Sequence, residues 1–143
     1  MGLEDVYTEL VSEHSRCPEN RHPLDCATCS CKGHNPSCGD EITLHLDIAD
    51  GIVKDASFEG VGCAISQAST DMMIDLIRGK SVEKARELAG KFIAMIKREI
   101  TDDDELEELD EALSLKNVSN MPARVKCAVL AWHTLDDALK EKK

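Results

Sequence analysis

Seven cysteines are distributed along this chain of 143 residues, and they are the side chains best suited to chemistry. An odd number cannot all pair in disulfides, and in a reducing compartment thiols more often bind metals or carry out thiol chemistry. Three of the seven occur in separate strings whose neighbouring residues favour a thiolate. Metal binding or sulfur chemistry is therefore the leading interpretation.

The first string, His-Asn-Pro-Ser-Cys-Gly-Asp at residues 34–40, places Cys38 and Asp40 on either side of Gly39. Glycine lets the backbone fold so that a thiolate and a carboxylate two residues apart can face one point. The string leads straight into a predicted strand, which would hold Asp40 in place.

The second string, Glu-Gly-Val-Gly-Cys-Ala-Ile-Ser at residues 59–66, puts Cys63 after two glycines and before a predicted helix. Backbone N–H groups at a helix start can stabilise a thiolate. The alternative for this string alone is a buried cysteine at the end of a strand.

The third string, Met-Pro-Ala-Arg-Val-Lys-Cys-Ala, sets Cys127 in the first two turns of a helix, with Arg124 and Lys126 close to it. Nearby cations and a helix start favour the thiolate, although Cys127 could also be a core residue. Three cysteines and Asp40 would suit tetrahedral zinc, which accepts thiolate and carboxylate ligands. The spacings alone are not diagnostic.

The elements that must position these residues are predicted from periodicity. Alternation of apolar and polar residues predicts strands over 41–48 and 52–58, joined by an Asp50-Gly51 turn as an antiparallel hairpin, and a third strand over 59–65. Helices are predicted over 3–15, over 66–78, after Ser81 as N-cap, as a short solvated helix over 102–111, and from Pro122 onward. Strands followed by helices indicate an α+β fold.

Composition limits the function classes. A chain of this length with 42% apolar residues is expected to form one domain, 1–143, without disulfides. A net charge of −11 with few aromatic residues argues against nucleic acid as a partner. The amino-terminal residues do not resemble a secretory signal and no stretch is long enough to span a membrane, so we expect a cytoplasmic protein.

The three strings around Cys38, Cys63 and Cys127 resemble those of the IscU and SufU proteins, in the NifU N-terminal-domain family of iron–sulfur cluster assembly proteins. The resemblance covers residues 3–139. It implies a SufE/IscU-like fold, with a three-stranded antiparallel sheet packed against several helices. Lys126 in place of the histidine of the IscU branch, Arg124, and a lengthened helical segment over 81–120 are similar to the SufU branch.

The resemblance implies a zinc-dependent sulfurtransferase that accepts persulfide sulfur from a SufS-type cysteine desulfurase and supplies a SufBCD-type scaffold complex. Cys38 would be the sulfur acceptor, Asp40, Cys63 and Cys127 the other zinc ligands, and Arg124 and Lys126 supporting residues. One alternative is a scaffold that assembles a transient iron–sulfur cluster, and so binds iron, on the same ligands. Another is a closed structural zinc module that binds partners.

The four remaining cysteines lie in residues 16–37, which are predicted to form a long loop because they contain prolines, a glycine and no apolar periodicity. Cys26, Cys29 and Cys31 lie within six residues and are not part of the ligand set that the resemblance implies. They can form a second metal site, together with Cys17, His22 or His34. The alternative is a flexible loop with incidental thiols.

Overall fold

A computed structural model describes residues 9–25, 27–35, 39–100, 102–120 and 122–140 of the chain. Along the chain, its elements are α1 (Glu9–Arg16), β1 (Cys29–Asn35), β2 (Asp40–Ala49), β3 (Ile52–Val61), α2 (Ala64–Ile77), α3 (Val82–Ile96), α4 (Asp103–Leu106), a 3-10 helix (Glu107–Asn120) and α5 (Pro122–Lys140). The predicted α+β class is confirmed.

The three strands form one antiparallel sheet in the order β1-β2-β3. In the central strand, Ile42, Leu44 and Leu46 are buried against the helices, as the period-two pattern predicts. β3 runs without a break from Ile52 to Val61, so the third strand predicted over 59–65 is the end of β3 rather than a separate strand. The actual third strand is β1.

Strand β1 corrects the prediction that residues 16–37 form a loop throughout. The face that β1 turns toward the helices carries Cys29, Cys31 and Gly33, opposite Leu46, Leu44 and Ile42 of β2. Cysteine buries like a small apolar residue, but such a sequence carries no bulky β-branched alternation to indicate a strand. Gly33 is required there, because a Cβ would lie 2.1 Å from the hydroxyl oxygen of Thr134 on α5.

Helices α3 and α5 begin at the positions that their capping residues in the sequence predict. Ser81 accepts a hydrogen bond from the Lys84 N–H at the start of α3, and Pro122 is the first residue of α5. Inside the core, the rings of Phe92 on α3 and Trp132 on α5 stack with centroids 4.1 Å apart. The two helices therefore pack directly against each other, and α5 in turn packs against β1 and β2.

The acidic segment after α3 differs from the short solvated helix that was predicted. Asp102 caps the single turn of α4, and the chain continues as a 3-10 helix. Leu106, Leu109 and Leu115 are fully buried, while Glu107 and Glu108 are exposed. The leucines thus anchor the segment to the core, and only its acidic face is solvated.

Helix α1 packs against α2 and buries Val11. The helix was predicted over 3–15, of which residues 3–8 lie outside the described part of the chain. Within the described residues, no helix combines the length and the apolar character needed to cross a membrane.

Candidate metal centre

Three predicted ligands meet where β2 begins, where β3 joins α2, and where the first turns of α5 pass behind the sheet. The donor atoms of Asp40, Cys63 and Cys127 all lie within 4.8 Å of one another. They come from positions 23 and 64 residues apart in the chain, so the packing of the three elements brings them together.

Asp40 is the first residue of β2, and its carboxylate is completely buried. Its Oδ1 accepts a hydrogen bond of 3.0 Å from the backbone N–H of Cys63. The approach depends on Gly62, since a Cβ at that position would lie 2.9 Å from the same carboxylate oxygen. The absence of a side chain at residue 62 thus lets the carboxylate reach the backbone of the second ligand.

Cys63 is the N-cap of α2, and its sulfur accepts a hydrogen bond of 3.4 Å from the N–H of Ser66. The predicted helix-start environment of this cysteine is therefore confirmed. Helix α2 directs its positive end at the sulfur, which favours negative charge there. Cys63 is half-buried, so its thiol lies at the boundary between core and solvent.

Cys127 lies in the second turn of α5 and is fully buried. The side-chain amide of Asn35 donates to its sulfur over 4.0 Å. Asn35 is the last residue of β1 and pairs directly with Asp40 across the sheet, and its carbonyl accepts a hydrogen bond from the N–H of Gly39. Asn35 is therefore linked both to Cys127 and to the backbone of the Gly39-Asp40 pair.

The donor set suits zinc. Zinc binds thiolates and carboxylates in tetrahedral sites with four ligands. Asp40, Cys63 and Cys127 would supply three of them, so a fourth ligand is needed. The Asp40 carboxylate is buried with its donor atom within 4.8 Å of both sulfur atoms, and a cation bound there would interact favourably with its negative charge. The buried hydroxyl of Ser66, which makes no hydrogen bond within the described residues, would lie 3.0 Å from a Cβ at Gly62 and so borders the same space.

The other predicted site residues lie in different places. Cys38 and Cys26 are outside the described residues. Arg124 is half-buried and Lys126 is exposed, both in the first turns of α5. Cys29 and Cys31 are half-buried on β1 and pack against the core.

The proposed second cluster at Cys26, Cys29 and Cys31 stays a prediction. Among the described ligand-type side chains, Cys29 and Cys31 do not join a group of three with donor atoms within 4.8 Å. Their partly buried, core-facing position differs from the flexible loop that was the alternative. They act at least as apolar packing residues of an edge strand.

Asn35 and Ser66 contact the site but were not singled out from the sequence. An N-cap side chain commonly accepts a hydrogen bond from the backbone N–H three residues later. The contact between the Cys63 sulfur and the N–H of Ser66 therefore had a local signal in the sequence. Asn35 had none, because its partner Cys127 is 92 residues away.

Comparison with known proteins places this chain in a family. Residues 6–143 match the NifU-like N terminal domain. A Thermotoga maritima protein named iron–sulfur cluster assembly scaffold protein IscU is 43% identical over 99% of this chain and 97% of its own length. A Bacillus subtilis protein named zinc-dependent sulfurtransferase SufU is 36% identical over 99% of this chain and 94% of its own.

Solved structures agree. The crystal structure of a Fervidobacterium islandicum protein, described as a putative iron–sulfur cluster assembly scaffold protein for the SUF system, has a TM-score of 0.89 at 36% identity, covering 96% of this chain and 99% of that one. The amino-terminal part of a NifU-like protein from Brucella abortus has a TM-score of 0.85 at 22% identity, covering 99% and 98%, which shows the same fold. The chain therefore belongs to the NifU-like N-terminal domain family, to which the IscU and SufU proteins belong.

Proposed function

We propose that this chain works in iron–sulfur cluster assembly as a zinc-dependent acceptor of persulfide sulfur from a cysteine desulfurase. The observation that carries the proposal is the convergence of Asp40, Cys63 and Cys127 at one point, and Cys38 precedes Asp40 by two residues in the sequence. The name of the Bacillus subtilis relative, a zinc-dependent sulfurtransferase, supports the same activity.

In this proposal Asp40, Cys63, Cys127 and Cys38 hold the zinc. Cys38 is included because it is two residues from Asp40 in the sequence and lies between Asn35 and Gly39, whose backbones are joined beside the donors. Bound zinc would keep the thiols deprotonated at neutral pH, which is the form that reacts with sulfur electrophiles.

The transfer itself is a thiolate exchange at sulfur. The Cys38 thiolate attacks the terminal sulfur of the desulfurase persulfide and forms a new S–S bond, while the S–S bond of the donor breaks. The donor cysteine leaves as a thiolate, and Cys38 carries the persulfide, so charge and electrons balance without an external oxidant. Asp40, the one oxygen donor of the set, makes the site easier to open than four thiolates would.

Arg124 and Lys126 have a supporting role in this proposal. Both lie in the first turns of α5, three residues and one residue before Cys127. The exposed Lys126 is one of 17 basic residues in a chain whose net charge is −11. Positive charge at this rim would favour the approach of an anionic persulfide and stabilise the attacking thiolate.

The partner would be a SufS-type desulfurase, and the acceptor a SufBCD-type scaffold complex in the cytoplasm. Val61 offers one contact for docking, because it is 66% exposed at the end of β3, two residues before Cys63. It is the exposed large apolar side chain of the described part of the chain. Apolar side chains are typical of the buried centre of a protein–protein interface, and polar or charged side chains are typical of its rim.

The test is sulfur transfer from a desulfurase loaded with cysteine. We expect the zinc-bound protein to stimulate the desulfurase and to gain the mass of one sulfur atom, and we expect Cys38→Ala to abolish both effects. Cys17 lies outside the proposed zinc ligand set, so Cys17→Ser serves as the matched control. This variant should retain both the stimulation of the desulfurase and the gain of sulfur. Full sulfur acceptance by the Cys38→Ala protein would overturn the assignment.

A scaffold that assembles an iron–sulfur cluster is the second candidate function. It is favoured by the name of the Thermotoga maritima relative and by the ligand chemistry, since thiolates also hold iron–sulfur clusters. Measurements on one preparation of purified protein distinguish the two functions. A colourless protein with one tight zinc supports sulfur transfer, and a stable brown chromophore after anaerobic reconstitution with iron and sulfide supports the scaffold.

A further inference from the structure

A second group of metal-binding side chains lies between α1 and α2. The donor atoms of His14, Asp71 and Asp75 all lie within 4.8 Å of one another. Asp71 and Asp75 follow Cys63 along α2 by eight and twelve residues, or about 12 and 18 Å at the rise of an α-helix. The group is therefore separate from the first site.

Asp71 and Asp75 stand four residues apart on the same face of α2, an arrangement in which like charges repel. Both carboxylates are nevertheless oriented by one buried amide, because Asn20 donates to Oδ1 of each, over 2.9 and 3.0 Å. The amide oxygen of Asn20 in turn accepts a hydrogen bond of 2.6 Å from Arg78. The two carboxylates are thus held in a fixed relation, as outer-shell partners hold metal ligands.

The third donor comes from α1. The imidazole Nδ1 of His14 contacts Oδ2 of Asp71, the oxygen that Asn20 does not use. A cavity of about 290 Å³ opens at these atoms and is lined by Glu13, His14, Cys17, Asp71 and Asp75. Each of these five described lining side chains is a potential metal ligand.

Among the described residues, the cations that contact the two carboxylates are Arg78 and, when it is protonated, His14. Arg78 lies 3.5 Å from Oδ1 of Asp75 and extends away toward Asp55. Asp71 is 1% exposed, so an ionised carboxylate there has little access to water. A divalent cation in the cavity would neutralise the two carboxylates and remove the repulsion between them.

We propose that His14, Asp71 and Asp75 bind a divalent first-row transition-metal ion, with Cys17 available as a further donor. An imidazole nitrogen together with carboxylates suits ions such as Fe²⁺, Co²⁺ or Zn²⁺, whereas Mg²⁺ and Ca²⁺ prefer all-oxygen sites.

Entry of the ion requires little movement. Ligands at about 2.1 Å from a common ion lie roughly 3.0 to 3.4 Å from each other, for octahedral and tetrahedral geometry. The contact between His14 and Asp71 would open slightly to admit the ion, and the proton that the pair shares would be released. Helix α1 would then be joined to α2 through the metal.

The test uses Co²⁺ as the probe, added to full-length protein that already holds one equivalent of zinc. We expect one further Co²⁺ to bind with weak absorption bands typical of nitrogen and oxygen ligands. Asp75→Asn and His14→Gln should each weaken this binding at least tenfold. The exposed residues Asp137 and His133 provide matched controls, as Asp137→Asn and His133→Gln, and these should leave the binding unchanged.

Three outcomes would overturn the proposal. One is no binding of Co²⁺ beyond the first site, which would leave the contact between His14 and Asp71 as a helix-docking interaction only. Another is binding that Asp75→Asn does not weaken; this variant decides the matter if His14→Gln fails to fold, because Asp75 is exposed. The last is binding that disappears when Cys29 and Cys31 are replaced by serine, with the intense absorption of a Co²⁺–thiolate bond.

Discussion

The backbone N–H of Cys63 donates a hydrogen bond of 3.0 Å to the carboxylate of Asp40. This bond joins the first residue of β2 to the N-cap of α2, and it places one predicted metal ligand directly on the backbone of another. The carboxylate thus has both a structural partner and a position among the thiols. Replacing it in two different ways separates these roles.

Asp40→Asn should keep the hydrogen bond from Cys63 but remove the negative oxygen donor, so zinc should dissociate faster, about tenfold or more, with little loss of stability. Asp40→Ala should lose both, because the Cys63 N–H is left without its acceptor, at a cost of about 1–3 kcal/mol. Zinc release to a chelator and urea unfolding measure the two effects. Equal zinc retention by the parent and both variants would exclude Asp40 as a ligand.

Gly62→Ala should damage the metal site without unfolding the protein. The new methyl group would lie 2.9 Å from the Asp40 carboxylate and 3.0 Å from the Ser66 hydroxyl, so Asp40 must move away from Cys63. We expect zinc affinity to fall by at least tenfold. Gly90→Ala on α3 is the matched control, because its Cβ would meet no atom within 4 Å and should stabilise the helix by about 0.5–1 kcal/mol. Unchanged zinc affinity in Gly62→Ala would contradict the close approach.

Ser69→Ala should destabilise the contact between α2 and α5 beside Cys127. The Ser69 hydroxyl donates to the carbonyl of Ala128 over 2.6 Å and accepts from the indole N–H of Trp132 over 2.8 Å, and all three groups are buried. Leaving the indole N–H unpaired should lower the free energy of unfolding by about 1–3 kcal/mol, measured by urea denaturation.

Ser114→Ala is the control for this change. The buried hydroxyl of Ser114 makes no hydrogen bond within the described residues, so its removal should leave the free energy of unfolding unchanged or slightly higher. If both serine variants lose the same stability, the bridge between Ala128 and Trp132 does not hold α2 against α5.

Stability should depend on pH through Asp71. Burial raises the pKa of its carboxyl above the ordinary value of 3.8, although hydrogen bonds from His14 and Asn20 act in the opposite direction. Because the folded-state pKa is the higher one, folding favours the protonated form. The contribution to stability is fully present below 3.8 and is lost as pH rises through the raised pKa.

The measurement compares the parent with Asp71→Asn, which does not titrate, by urea unfolding between pH 7 and pH 4 in the presence of a chelator. The parent should gain stability relative to the variant as the pH falls. Repeating the comparison in an Asp75→Asn background should reduce the gain, because the negative charge of Asp75 also raises the pKa of Asp71. A difference that is constant with pH would contradict the raised pKa.

Local patterns in the sequence determined much of the fold. The alternation in β2, the cap at Ser81 and the proline at the start of α5 each describe the conformation of a few consecutive residues, and the structure agrees with them. The strings around Asp40, Cys63 and Cys127 likewise indicate three candidate ligands, whose donor atoms the structure brings within 4.8 Å of one another. Glycine, proline and helix-start chemistry act over short distances and can be recognised without the fold.

Only the tertiary structure decided the rest. Strand β1 forms because β2 supplies its hydrogen-bond partners and α5 leaves room for Gly33, although its own inward residues are small. Asn35 reaches Cys127 across 92 residues, and His14 reaches Asp71 across 57. Such contacts depend on how whole elements pack against one another, and that packing is set by the shape and burial of many side chains together, which no short string of residues records.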